Sequence, residues 1–170
     1  MKRVLGFLLL QTAALLFFCQ YRQRGKQRLD TLRSFADMLE HLRGILEADS
    51  PPMPELLQTL LQRCRGEAGQ FIETLSRSMD MLGAYSFYEL WRQALREQKG
   101  LLDPDILYEL ESLGEILGRY ELRVQLEAVD LCRAMLLKTL NTLQKEQPQA
   151  SRLTLALLLS GTFMLGIVLI

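Results

Sequence analysis

From residue 29 onward apolar side chains recur at Leu29, Leu32, Phe35, Ala36, Leu39, Leu42 and Leu46. Spacings of three and four residues put them on one stripe and predict a helix. Pro51, Pro52 and Pro54 close it, and Pro54 suits the first turn of a second helix with Leu56, Leu57, Leu60, Leu61 and Cys64. Gly66 and Gly69 predict a turn, after which Phe71, Ile72, Leu75 and Met79 mark a third helix broken at Gly83. Ser86 and Glu89 have the spacing of a capping box ahead of Phe87, Leu90, Trp91, Ala94 and Leu95. Gly100 ends that helix. Asp103 and Pro104 read as cap and first turn of a fifth, with Ile106, Leu107, Leu110, Leu113 and Leu117, closed by Gly118. The sixth carries Leu122, Leu126, Val129, Leu136, Leu140 and Leu143, and Pro148 is expected to kink or break the connection to the last apolar run.

Two segments lack any polar face. Val4–Tyr21 and Leu153–Ile170 are uncharged runs of eighteen residues. Eighteen helical residues extend about 27 Å, enough for a bilayer core. The first could be taken for a secretory signal, but Phe17, Phe18, Gln20 and Tyr21 occupy the place where small residues would permit cleavage. Both runs are therefore expected to span a membrane. Gln11 near the middle of one, and Thr162 with Gly166 in the other, are the residues expected to let the spans pack on each other or on partner spans.

The expected organisation is a basic tail at 1–3, a transmembrane helix at 4–21, a helical domain at 22–152 and a second transmembrane helix at 153–170. The class is all-α: an antiparallel bundle of about six helices, joined by short links.

Charge adds orientation. All twenty acidic residues lie between Asp30 and Glu146, against thirteen basic ones there, a net −7. Lys2, Arg3, Arg22, Arg24, Lys26, Arg28 and Arg152 flank the apolar runs, most of them on the side of the central domain. That excess places the domain in the cytoplasm. Cys19, Cys64 and Cys132 have no metal-ligand or redox-pair spacing and fit buried thiols of a reducing compartment. The acidic middle argues against nucleic acid as a partner.

Catalytic chemistry has little to work with. The single histidine, His41, stands beside Glu40 on a helix surface. No nucleophile arrangement, phosphate loop or paired metal motif is present in the sequence. No catalytic residue, cofactor or metal is expected. One charge feature stands out: Asp103, Asp105, Glu109, Glu111 and Glu115 precede any basic residue until Arg119. It reads either as a solvated helix face or as a docking surface for a basic partner.

The pattern as a whole resembles the stage III sporulation protein AB family of endospore-forming bacteria. The likeness covers nearly the full chain. It is carried locally by Trp91 with Ala94 and Leu95, by Leu117 with Gly118, and by Gln125 seven residues beyond that glycine. Glu121 stands where relatives often carry aspartate. The family's domain is similar to a cytoplasmic domain of the type II secretion F platform proteins. The resemblance implies a non-enzymatic platform in the channel complex between mother cell and forespore, on the mother-cell side in the outer forespore membrane. Its implied partners are the stage III sporulation protein AA ATPase and other membrane proteins of the complex, with a homo-oligomer also possible. Glu109, Glu111, Glu115, Glu121 and Gln125 are the candidate partner contacts; Trp91 and Gly118 are structural candidates. Glu121 and Gln125 equally fit caps or bridges within the bundle. An oligomeric two-span pore, or a membrane-anchored adaptor unrelated to sporulation, stays open as the alternative.

Overall fold

A computed structural model describes the backbone of residues 2–98, 100 and 102–169, and the side chains of residues 23, 25–98, 100 and 102–145. The described residues form six α-helices: α1 Lys2–Ala48, α2 Met53–Arg63, α3 Gly66–Ser78, α4 Phe87–Glu97, α5 Pro104–Ile116 and α6 Leu122–Leu169. A single 3₁₀ turn, Met79–Met81, extends α3. Among the described residues there is no strand; Leu82 and Tyr85 form an isolated bridge.

The chain divides into two compact units, one of residues 28–140 and one of residues 1–27 with 141–170. Among the described residues no helix is long and apolar enough to cross a membrane. The two apolar runs, with Gln11, Thr162 and Gly166, lie outside the described side chains.

In the 28–140 unit the stripe of α1 is buried from Leu29 to Leu46, joined by Met38 and Ile45. Phe35 meets Phe71 of α3 at 5.7 Å between ring centres. Against α6 the register is antiparallel. Arg43 pairs with Asp130 at 2.8 Å and Glu40 with Arg133 at 2.8 Å, so three residues forward on α1 is three back on α6. Arg28 pairs with Asp103 at the start of α5. The far end of α5 reaches Met53, because a Cβ on Gly118 would lie 3.0 Å from the Met53 Cε. The unit therefore has two ends. One holds Arg28, Asp103 and Leu140, where the chain enters and leaves; the other holds Met53, Gly118 and the start of α6.

Four expectations need correction. Gly69 lies inside α3, not in a turn; the break is made upstream, where Cys64 and Arg65 are extended and Gly66 enters the helix at φ 65°. Asp103 does occupy the N-cap position of α5, but its carboxylate makes no cap hydrogen bond, being drawn away to Arg28. Pro148 does not end α6, which is one helix from Leu122 to Leu169. Leu122 is exposed, so the buried stripe of α6 begins at Gln125 and continues through Val129, Cys132, Leu136 and Leu140.

Candidate functional site

Trp91 anchors the junction of α4 and α5. It is fully buried, and its indole N–H donates to the Leu110 carbonyl at 2.7 Å. Phe71 meets it edge-on at 4.8 Å, and Phe87 lies 5.8 Å away. The indole reaches α5 because residue 114 is glycine. A Cβ there would lie 2.2 Å from the Trp91 Cδ1 and 2.5 Å from its Cγ. Those atoms sit at the base of a hydrogen-bonded, buried ring and cannot yield cheaply. Trp91 thus stands in the core, as a structural residue. Gly114, its seat, escapes a reading by motif and stripe, although a glycine amid an apolar helical stripe usually has a packing reason.

The turn from α5 to α6 is held by Gln125. Its side-chain carbonyl accepts the Gly118 N–H at 3.3 Å, and its amide donates to the Tyr120 carbonyl at 2.6 Å. Gly118 itself has φ 74°, the left-handed conformation in which a side chain would strain the backbone. Glu121 is exposed beside this turn, and its backbone carbonyl accepts from the Val124 and Gln125 N–H groups to start α6. Gln125, buried and doubly bonded within the turn, offers little to an outside partner; Glu121 remains accessible.

The acids of α5 form two rows, not one stripe. At roughly 100° per residue, Glu111 and Glu115 share one line and Asp105 and Glu109 another. Tyr108, 68% exposed, stands between them. The rows meet different neighbours. Glu111 lies 3.8 Å from Arg92 of α4, and Glu115 lies 3.7 Å from Arg119. Glu109 faces α6, where burial above all, and then the Glu109 charge, push the Cys132 thiol up to about 12. Part of the acidity is thus already paired inside the domain. Each such partly exposed pair adds well under about 1 kcal/mol, and the carboxylates stay available to a stronger cation.

Next to the Trp91 seat, an open groove of about 450 Å³ is lined by Met53, Met79, Leu82, Phe87, Gly114 and Leu117. Its rim begins with Ser86, whose hydroxyl accepts the Glu89 N–H at 3.3 Å while Glu89 accepts the Ser86 N–H at 2.8 Å. The Ser86 N–H, and after it the Ser86 hydroxyl at 2.9 Å, donate to the Glu89 carboxylate and hold it below the usual carboxylate range. Among the described residues no group of three His, Cys, Asp or Glu is placed to hold a metal ion.

The fold and these surfaces define an all-α bundle protein whose accessible features are an acidic helix and an apolar groove. Its family is given by the sequence. The profile of stage III sporulation protein AB matches residues 3–170, and the chain belongs to that family. A solved structure described as stage III sporulation protein AB superposes with a TM-score of 0.62 at 19% identity, covering 72% of this chain and 98% of that one. At that identity the likeness speaks to the fold. Comparison with curated proteins finds no match.

Proposed function

We propose that the chain is a non-enzymatic membrane platform of a secretion-like channel complex between mother cell and forespore, docking the cytoplasmic stage III sporulation protein AA ATPase. The observation that carries this reading is the family match along residues 3–170. The all-helical unit supports it, because a rigid bundle presents surfaces without needing a catalytic cavity. In this reading the runs at 4–21 and 153–170 are transmembrane helices, packed through Gln11, Thr162 and Gly166, and the domain between them is cytoplasmic. Charge supports that orientation, since basic residues concentrate on the domain side of both runs.

The docking surface proposed for the ATPase is the outward side of α5, with Glu109, Glu111 and Glu115 around Tyr108 and with Glu121 beyond its end. Acidic rows of this kind steer and orient a basic partner more than they tighten it. The test is co-purification from membranes of cells making both proteins. The unaltered chain should retain the ATPase, and the triple charge reversal Glu109→Lys, Glu111→Lys, Glu115→Lys should lose it while keeping its helical circular dichroism. An unaltered chain that retains no ATPase would overturn the reading.

A further inference from the structure

Helix α5 opens on a residue built to cap it. Asp103 has φ −65° and ψ 149°, the extended geometry of an N-cap, and its carbonyl accepts the Leu107 N–H at 2.9 Å. Pro104 follows at the first helical position, where a missing N–H breaks no helical bond. Aspartate is among the best caps, because its carboxylate accepts the amides of the second and third helical residues, here Asp105 and Ile106. Asp103 makes no such bond. Both of its carboxylate oxygens accept instead from the Arg28 guanidinium of α1. Ser86, in the same position on α4, shows the alternative: its side chain accepts from the Glu89 N–H and completes a capping box.

One carboxylate thus has two alternative sets of donors. The backbone at residue 103 already has cap geometry, so rotation of the side chain alone exchanges them. The two are close in strength. The Arg28 and Asp103 side chains are 42% and 30% exposed, so water screens the ion pair, and ordering the long arginine offsets part of its gain. A cap bond contributes about as much. Near such a balance, a small bias redistributes the two arrangements. The position of the pair gives this weight. Arg28 is the first residue of the 28–140 unit and Asp103 is the last residue before α5. Asp30, the acid nearest to Arg28 in sequence, pairs with Arg33 at 3.6 Å and leaves Arg28 to Asp103.

We infer that Asp103 is a two-position latch. Paired with Arg28, it ties the start of α5 to α1 and leaves that start without its side-chain cap. Released, it caps α5 and unties it from α1. Tie and cap exclude each other while both carboxylate oxygens sit on Arg28. The latch sets how firmly the acidic helix is held to α1, and an anion that engages Arg28 throws it toward the cap. The inference rests neither on ATPase docking at α5 nor on the membrane spans.

The test is hydrogen exchange at the Asp105 and Ile106 amides, followed by NMR on the full chain in uncharged detergent micelles. Arg28→Gln should slow exchange at these amides about fivefold, the protection that one cap hydrogen bond gives a helix start. Asp103→Asn should slow it as much, because asparagine caps as well as aspartate and has no charge to hold Arg28. Asp103→Ala should not slow it, and adding Asp103→Ala to Arg28→Gln should abolish the slowing. A fixed ion pair predicts the reverse: with Arg28 gone, the start of α5 frays and exchange quickens. Circular dichroism checks the fold of each variant. Among folded variants, faster or unchanged exchange in either Arg28→Gln or Asp103→Asn would overturn the inference. Should Arg28→Gln fail to fold, Asp103→Asn alone decides.

Discussion

Helices α4 and α5 build two apolar places side by side, and they differ in almost every physical respect. At the first, Trp91 is sealed against Gly114, hydrogen-bonded to Leu110 and ringed by Phe71 and Phe87. At the second, Met79, Leu82 and Phe87 line an open groove, and Leu82 is exposed there. Phe87 takes part in both. In the sequence the two look alike, as apolar residues at helical spacing. The difference lies in what stands opposite: a glycine that admits a ring in one case, solvent in the other. Sealed apolar area stabilises the fold; open apolar area leaves binding energy unspent.

Substitutions should separate the two places sharply. Trp91→Ala empties the sealed one and should destabilise the bundle by about 3–5 kcal/mol in denaturant unfolding. Gly114→Ala is a stricter probe. Helix propensity alone favours alanine by about 1 kcal/mol. The clash with the Trp91 ring should reverse that sign and leave a loss of about 2 kcal/mol. A gain in melting temperature would show that the indole is not seated as described. Gln125→Ala strips partners from the Gly118 N–H and the Tyr120 carbonyl and should cost about 1–2 kcal/mol.

A smaller effect should appear in alkali. Burial raises the Cys132 thiol from 9.0 to about 12, so between those values the unfolded chain releases a proton that the folded chain retains. Stability contributed by the neutral buried thiol is complete below pH 9 and fades as the pH climbs toward 12. Melting temperatures measured across that window should therefore fall more steeply for the unaltered chain than for Cys132→Ala; parallel curves would refute the assignment. At the open place, Leu82→Asp should shift stability by no more than about 0.5 kcal/mol, since its side chain already meets water. A large loss there would mean that the groove is core.

Much of the helical layout was readable from the chain. The stripes on α1 to α5 and the Ser86–Glu89 box depend on residues a few positions apart, where spacing and burial are directly linked. The misreadings share a cause. Asp103 looked like a cap until Arg28, 75 positions away, claimed its carboxylate. Gly69 looked like a turn, yet Gly66 alone supplies the left-handed entry. Gly114 carried no local signal of the ring it accommodates. The acidic row in the sequence became two rows on α5, because consecutive acids at helical pitch face different neighbours. Of the candidate contacts, Glu109, Glu111, Glu115 and Glu121 retain accessible carboxylates, whereas Gln125 is occupied within its own turn. The groove was invisible because Met79 and Phe87 read as ordinary stripe positions; only the packing shows where the stripe stops being covered.

The docking role of α5 is tested most directly by photocrosslinking. A benzophenone amino acid replaces Tyr108, which stands between the two acidic rows, in cells making the stage III sporulation protein AA ATPase. A platform that docks the ATPase there predicts a crosslinked species containing both chains, abolished by the charge reversal at Glu109, Glu111 and Glu115. The same probe at Leu131 should give none. Crosslinks to the ATPase from Leu131 alone, or from neither position, would contradict it.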